Sequence, residues 1–296
     1  MPKSARIALL LAATVAITGC QKDFTAYALT SSGSIIQFTT SKPGTVNSTV
    51  NLTGLTSTSQ TVVQMSYQPS TGTLYCITND GFLCTLDPTT GIAAIYVPPN
   101  GNTLPFTELL GSGNNTVRLT NPEMCFDPVS GGVRVISSQY NLLVDLNSGT
   151  VGINGTAGTK GTPVAFDGQD VNTNKTPQLA GIAYTNPVAG AGQTTLYALD
   201  VTTASLVRVG DTNTGDHGSA DGGDLRTIGA LNAGLNSNSG FAISPNNGDA
   251  YAVLQNGGPT TLYTVSLDTG TVSSVGQVGG DNNSQIPTVI ALVISR

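Results

Sequence analysis

Residues 64–97 read QMSYQPSTGTLYCITNDGFLCTLDPTTGIAAIYV. With the two valines before it, this segment holds four short apolar runs, VVQMSY, TLYCIT, FLCTL and IAAIYV, separated by the turns PSTG, NDG and DPTTG. Runs of this length, rich in β-branched and aromatic residues and bounded by Pro, Gly, Asn and Asp, are typical of β-strands. The segment therefore predicts an up-and-down sheet of four antiparallel strands.

Imperfect copies of this unit recur along the chain. They cover residues 124–154, a stretch that begins at residue 179, and residues 240–276. The prolines that follow the first strand of each copy are spaced 58 or 59 residues apart, at Pro69, Pro128, Pro187 and Pro245. A fixed period of this kind indicates a repeat fold.

The two ends of the chain complete each other. Residues 24–52 align with the second, third and fourth strands of the unit, and residues 286–295, IPTVIALVIS, form one isolated apolar strand. A last blade built from both termini would close a ring and remove exposed sheet edges. We therefore predict an all-β fold, a β-propeller of about five four-stranded blades, or six if a long loop holds further strands. Its ring is closed by the C-terminal strand pairing with the N-terminal blade.

Alternating apolar residues should pack between neighbouring blades. The residues expected there are Leu74, Cys76, Leu83, Ile182, Phe241, Tyr251 and Leu262. The period exceeds what four strands need, so the surplus is expected in three long loops, residues 98–121, 155–177 and 211–238. Loops of that length without structure of their own are usually functional or disordered.

The composition points to an exported β protein. Only 9% of the residues are charged, and the formal net charge is −6. So few charges argue against long amphipathic helices, which need them on their solvent faces. Nucleic-acid binding needs a basic patch, and the few Lys and Arg residues are scattered. The sequence therefore does not predict a nucleic-acid partner.

The first twenty residues, MPKSARIALLLAATVAITGC, have the parts of a signal peptide: the basic Lys3 and Arg6, then an apolar stretch. The end, Ile-Thr-Gly-Cys, resembles the lipobox of bacterial lipoproteins. The resemblance implies acylation of Cys20, and Gln21 after it favours the outer membrane. We expect a signal peptide at 1–19, a lipidated cysteine and tether at 20–23, and one propeller domain at 24–296.

The units TAYALTSSGSIIQF, TLYCITNDGFLCTLDPTTG and TTLYTVSLDTGTVSSVG resemble the repeats of bacterial exported proteins in the domain of unknown function 4394 family. Residues 166–186, FDGQDVNTNKTPQLAGIAYTN, are similar to a further stretch of that family. The third unit departs from the family, having Gly131 and Gly132 where the family has an Asp-Arg pair. The resemblance covers roughly residues 24–280 and implies fold and location, with no established reaction.

Enzyme motifs are mostly missing from the sequence. The one histidine, His217, lies in a loop rich in Gly and Asp, and there is no Gly-x-Ser-x-Gly motif, phosphate-binding loop or zinc-type His pair. The glutamates are Glu108 and Glu123. The expected inner strand ends carry poor metal ligands, namely Gln64, Ser66, Asp127 and Ser244. The sequence therefore favours a noncatalytic protein, with a propeller hydrolase or lyase as the competing class.

Residues 211–224, DTNTGDHGSADGGD, concentrate oxygen ligands of the kind calcium takes. The candidate ligands are Asp211, Asn213, Asp216, Asp221 and Asp224, and the loop lacks the bidentate Glu of a calcium loop. A weaker second group is Asp167, Asp170, Asn172 and Asn174. The alternative for both groups is a hydrated loop without metal.

Three cysteines follow Cys20. If residues 79–81 form the hairpin loop, Cys76 lies directly opposite Cys84, near disulfide reach. An exported setting permits that bridge. The alternative is a pair of reduced core residues, and Cys125 has no evident partner.

Taken together, these features predict a membrane-anchored cell-envelope lipoprotein that acts as a noncatalytic scaffold or binding module through its long loops. The partner would be an envelope protein or glycan. One alternative is a calcium-dependent glycan or protein binder that uses residues 211–224, and another is a propeller enzyme.

Overall fold

A computed structural model of the chain describes residues 23–99, 119–138, 140–147, 151–153, 156–157, 162–210, 219–282 and 288–296. In that part of the chain, regular structure is almost entirely β: five small sheets and two single-turn 3₁₀ helices, Ala220–Gly222 and Gly280–Asn282. The all-β prediction is confirmed.

Each sheet is one blade, and the five blades follow one another in chain order. The first blade contains β1 (Thr25–Thr30), β2 (Ser34–Thr39) and β3 (Ser48–Asn51). The second contains β4 (Val62–Tyr67), β5 (Leu74–Thr78), β6 (Leu83–Leu86) and β7 (Ala93–Ile95). The third contains β8 (Glu123–Phe126), β9 (Val133–Ile136), β10 (Asn141–Val144), β11 (Val151–Ile153) and β12 (Thr156–Ala157).

The fourth blade contains β13 (Ala165–Phe166), β14 (Leu179–Tyr184), β15 (Leu196–Asp200), β16 (Ser205–Val209) and β17 (Asp224–Ala230). The fifth contains β18 (Gly240–Ile243), β19 (Ala250–Leu254), β20 (Thr261–Val265) and β21 (Val272–Gln277). The last strand, β22 (Val289–Ile294), joins the first blade.

Ring closure occurs as the sequence predicts. β22 pairs antiparallel with β1, and Tyr27 faces Val293 while Ala28 faces Leu292. The inner strands of the five blades neighbour one another around a closed circuit, in the order β22, β4, β8, β14, β18 and back to β22. The structure is therefore a five-bladed β-propeller whose first blade combines the first and the last described strands.

Two short strands add to the predicted four-stranded pattern. β12 extends the third blade, and β13 pairs parallel with β17 at the outer edge of the fourth blade. Both lie in residues 155–177, which the sequence assigns to a loop. β12 and β13 are two residues long, too short to produce a periodic apolar pattern. The predicted loop 211–238 is also wrong in part, because it contains the seven-residue strand β17.

The core is divided among the interfaces between blades. The described residues form five apolar clusters, and each combines side chains of two neighbouring blades. The seven residues predicted to pack there are all buried, with no more than 7% of any of them exposed. Each blade buries both faces, so the full circuit is needed to cover all five sheets.

Candidate functional site

The inner strands enclose a cavity of about 280 Å³ on the axis of the ring. Its wall consists of the later residues of all five inner strands, and it reaches the surface at the exposed Gly72 and Arg296. Apolar side chains contribute much of the lining, including Met65, Met124, Phe126, Ile182, Phe241 and Leu292. A concave, mostly apolar site with a few polar groups is the usual form of a small-molecule site.

Two glycines allow neighbouring inner strands to approach each other closely at the inner end of this cavity. Gly181 has a φ of +107°, and a Cβ built there would lie 2.7 Å from Cβ of Phe241. A Cβ built on Gly240 would lie 2.6 Å from the backbone nitrogen of Leu292. Side chains cannot be accommodated at such distances, so glycine permits the close approach of neighbouring backbones.

A buried acid–amide pair lies beside the same inner end. Gln64 is 6% exposed and Glu123 is 4% exposed. The Nε2 of Gln64 donates to Oε2 of Glu123 at 2.7 Å and to the backbone oxygen of Ile290 at 3.4 Å. Burial raises the pKa of Glu123 well above its ordinary value, and a smaller effect of the Gly181 N–H lowers it. The net effect favours the neutral acid.

A second polar network backs the cavity wall between the third and fourth blades. Arg134 is 2% exposed. Its Nη2 donates to Oδ1 of Asp221 at 2.6 Å, its Nη1 to Oδ1 of Asn141 at 3.0 Å, and its Nε to the hydroxyl of Tyr184 at 3.3 Å. The Nδ2 of Asn141 donates to the backbone oxygen of Ala220 at 2.7 Å. These bonds fasten the first 3₁₀ turn to the third blade.

The charges of this network are set by its surroundings. Burial lowers the pKa of Arg134, but Tyr184 and Asp221 raise it by more, so the guanidinium is held charged. Burial raises the pKa of Tyr184, so its hydroxyl, which accepts from Nε of Arg134, stays neutral. The network is therefore a satisfied ion pair with neutral neighbours.

A profile of the family described as a domain of unknown function, DUF4394, matches residues 34–288. The chain belongs to the DUF4394 family. No curated protein matches it.

Among solved structures, a protein from Lactobacillus plantarum is similar to this DUF4394 chain at 12% identity, covering 93% of this chain and 100% of its own, with a TM-score of 0.43. The calcium-binding protein regucalcin from Agrobacterium tumefaciens is similar at 14% identity, covering 85% of this chain and 73% of its own, with a TM-score of 0.40.

The predicted calcium loop is only partly described. Asp211, Asn213 and Asp216 lie outside the described residues. Asp221 is engaged by Arg134, and Asp224 begins β17. Across the described residues, no group of three or more His, Cys, Asp or Glu side chains could hold a metal ion. The calcium site stays a prediction, with one of its five proposed ligands already paired to a cation.

The second acidic group fixes a turn. Asp170 accepts from the backbone N–H of Thr227 at 2.6 Å and of Asn172 at 2.8 Å. Asp167 accepts from the backbone N–H of Gln169 at 2.8 Å, and Asn174 is exposed. The two carboxylates therefore stabilise the turn that follows β13, and Asp170 also binds that turn to β17.

The cysteine register is confirmed: Cys76 and Cys84 are directly opposed on β5 and β6. Both are buried free thiols, so the predicted bridge is not formed in this structure, and Cys125 is likewise free and buried. The hydrogen bond between the opposed thiols raises the pKa of Cys76 and lowers that of Cys84. Whether export oxidises the pair stays a prediction.

The residues named for the inner strand ends form structural bonds. The hydroxyl of Ser66 accepts from the N–H of Phe126 at 3.3 Å, and Asp127 accepts from the N–H of Val129 at 2.9 Å. The hydroxyl of Ser244 accepts from the N–H of Asn246 at 3.2 Å. Gln64 differs from these three because it belongs to the buried pair.

Several predicted residues lie outside the described part of the DUF4394 chain, namely Cys20, Gln21, Glu108 and His217. Within the part that is described, no helix has the length and apolarity needed to cross a bilayer.

Sequence reasoning missed the roles of Glu123 and Arg134. A signal for Glu123 exists: it stands five residues before Pro128, and Gln64 stands five residues before Pro69. Equal offsets in successive repeats place two side chains at the same level of neighbouring inner strands. Arg134 is a charge within an otherwise apolar strand run, and such a residue needs a buried partner.

Proposed function

We propose that this DUF4394 protein is a noncatalytic binding module of the bacterial cell envelope, anchored by acyl chains on Cys20, whose ligand occupies the central cavity. The observation that carries the binding role is the cavity itself, where all five blades contribute wall residues to one mostly apolar space of about 280 Å³. Its surface opening beside Gly72 and Arg296 gives a ligand access.

The chemistry of the wall favours binding over covalent catalysis. Burial raises the pKa of the Cys125 thiol well above its ordinary value, which suppresses the reactive thiolate. Burial has the same effect on the hydroxyl of Tyr184. These groups lie in the wall as neutral side chains, suited to contact with an apolar ligand.

The binding role is tested with a variant that fills the cavity. Ser66 lines the cavity and is half-buried, so Ser66→Phe should occlude it, while Ser66→Ala leaves the space open. Wild type and both variants are purified from envelopes, denatured, and the released small molecules are analysed by mass spectrometry. We expect a compound released by wild type and Ser66→Ala and depleted in Ser66→Phe. The same profile from all three would overturn the role.

The anchoring role has a separate test. Acyl chains on Cys20 give firm attachment because several chains act together. We expect Cys20→Ser to move the protein from the membrane fraction to the soluble fraction, and we expect the wild type to sediment with outer membranes. Retention of the variant in the membrane fraction would contradict the proposal.

A further inference from the structure

At the inner end of the cavity, Gln64 has one polar atom left for a ligand. Its Nε2 is used twice, toward Glu123 and toward the backbone oxygen of Ile290. Its Oε1 accepts no hydrogen bond from the described residues, although the residue as a whole is only 6% exposed. Gln64 lines the cavity, so this acceptor is reached from the cavity.

The orientation of the Gln64 amide is fixed. A flipped amide would place Oε1 beside the carbonyl oxygen of Ile290, and a carbonyl can only accept. The neutral carboxyl of Glu123 accepts from Nε2 through its carbonyl oxygen at 2.7 Å, while the oxygen of Ile290 is the group that excludes the flipped amide. The pair therefore presents the oxygen of Gln64 as a preformed acceptor, with Glu123 as a positioning residue.

We propose that the inner end of the cavity recognises a hydroxyl or amide N–H group on a small, neutral and otherwise apolar ligand, through Oε1 of Gln64. This inference rests on the proposed function and adds the chemistry of the ligand. Oε1 is open to the cavity, so a ligand that fills the space would strip it of water, and a donor on the ligand avoids that cost. The apolar wall takes the rest of the ligand.

The charge of the ligand follows from its neighbours at the inner end. The oxygen atom of Gln64 would repel an anion, so a carboxylate is disfavoured at the inner end. A buried ammonium needs an ionised partner, and burial raises the pKa of Glu123, which favours the neutral acid there. A neutral donor is neither repelled by the Gln64 oxygen nor in need of an ionised partner.

The experiment uses four matched fluorinated probes and fluorine NMR titration. The probes are 4-fluorobenzyl alcohol, 1-ethyl-4-fluorobenzene, 4-fluorobenzylammonium and 4-fluorobenzoate. The protein is the full chain with Cys20→Ser, so that no lipid or detergent competes for apolar probes. We expect the alcohol to bind about three- to tenfold tighter than the ethyl compound, the range for one net hydrogen bond. We expect the two ions to bind more weakly than the alcohol.

Variants assign the preference to the pair. Gln64→Met keeps the length of the side chain and removes the acceptor, so the ratio of alcohol to ethyl affinity should fall to about one. Glu123→Gln keeps an acceptor for Nε2 and should retain the preference, whereas Glu123→Leu frees the amide and should reduce it. A merely structural role would lower all affinities together and leave the ratio unchanged.

The outcomes separate the two proposals. Equal binding of alcohol and ethyl compound by wild type, abolished by Ser66→Phe, overturns the donor recognition and leaves the binding role intact. Tighter binding of the ammonium or benzoate probe also overturns it. If no probe binds and no compound is released on denaturation, both proposals fail. The ratio of alcohol to ethyl affinity in the wild-type cavity tests donor recognition even if Gln64→Met does not fold.

Discussion

At the scale of single residues, Arg134 is the clearest case of a side chain whose position needs explanation. It ranks among the largest fully buried side chains, and its ion-pair partner Asp221 is 12% exposed. A buried pair gains little over an apolar replacement of both partners, but removal of one partner leaves the other charge uncompensated. Loss of Arg134 would therefore leave Asp221 without its ionic partner at the interface of the third and fourth blades.

Replacement of Arg134 by Met should destabilise the protein by about 3 kcal/mol, because Asp221 and Asn141 lose their partner in a desolvated site. The measurement is the free energy of unfolding from urea titration. The matched control is Arg226→Met, since Arg226 is 42% exposed on its side chain and lies 3.8 Å from Asp167. That change should cost no more than about 0.5 kcal/mol. Equal losses of unfolding free energy would show that the buried Arg134 network stabilises the protein no more than the exposed pair of Arg226 and Asp167.

Glu123 gives the stability of the protein a pH dependence. Its pKa is raised in the folded state, so its contribution is fully present below the unfolded pKa and is lost as pH rises through the folded pKa. Wild-type stability should fall with rising pH above about 4.5, by up to about 1.4 kcal/mol per pH unit for this one group. Glu123→Gln should remove that slope.

Urea unfolding of wild type and Glu123→Gln at several pH values between 4 and 9 measures the difference. A wild-type profile parallel to that of Glu123→Gln would mean that Glu123 ionises normally in the folded protein.

At the scale of elements, the hairpin of β5 and β6 places two thiols face to face. The pair Cys76 and Cys84 lies in register, and residue pairs across antiparallel strands lie about 4.5–5.5 Å apart, within the range of disulfides. Oxidation should link them, lower the intact mass by about two hydrogens and raise stability by about 2–3 kcal/mol.

Intact mass of the exported protein, with and without reductant, checks this prediction. Cys76→Ser should abolish the mass difference, and Cys125→Ser should leave it unchanged because Cys125 belongs to another blade interface. A reductant-independent mass in the wild type would show that the thiols remain free.

The sequence predicts elements well where signals are local and repeated. The apolar runs, the prolines after the inner strands and the register of Cys76 with Cys84 follow from neighbours in the chain. The pair of Arg134 and Asp221 joins residues 87 positions apart in different blades, so no local pattern announces it. The contact between Gln64 and Glu123 is equally hard to predict, because 59 positions separate the two residues. Only a comparison of their positions within successive repeats indicates it.

At the scale of the whole molecule, stability depends on a complete circuit. The strand β22 contacts both the first blade, through β1, and the neighbouring inner strands β4 and β18. A defect in β22 should therefore expose two blade interfaces, those represented by the clusters around Phe38 and Cys76. A defect in an outer strand should expose little.

Proline substitution tests this difference. The N–H of Ser295 donates to the oxygen of Thr25, and antiparallel alternation then directs the N–H of Val293 toward the oxygen of Tyr27. Val293→Pro removes that donor, leaves a buried acceptor unpaired at a cost of about 1–3 kcal/mol, and opens the ring beyond that local loss.

The matched control is Ser274→Pro on the outer strand β21. Ser266 donates to the oxygen of Thr271, so the alternation directs the N–H of Ser274 away from β20 into solvent, and the residue is exposed. Proline is tolerated at such edge positions. Thermal unfolding and limited proteolysis should show a large loss for Val293→Pro and a small one for Ser274→Pro. Similar losses would mean that closure by β22 is no more important to the propeller than any edge strand.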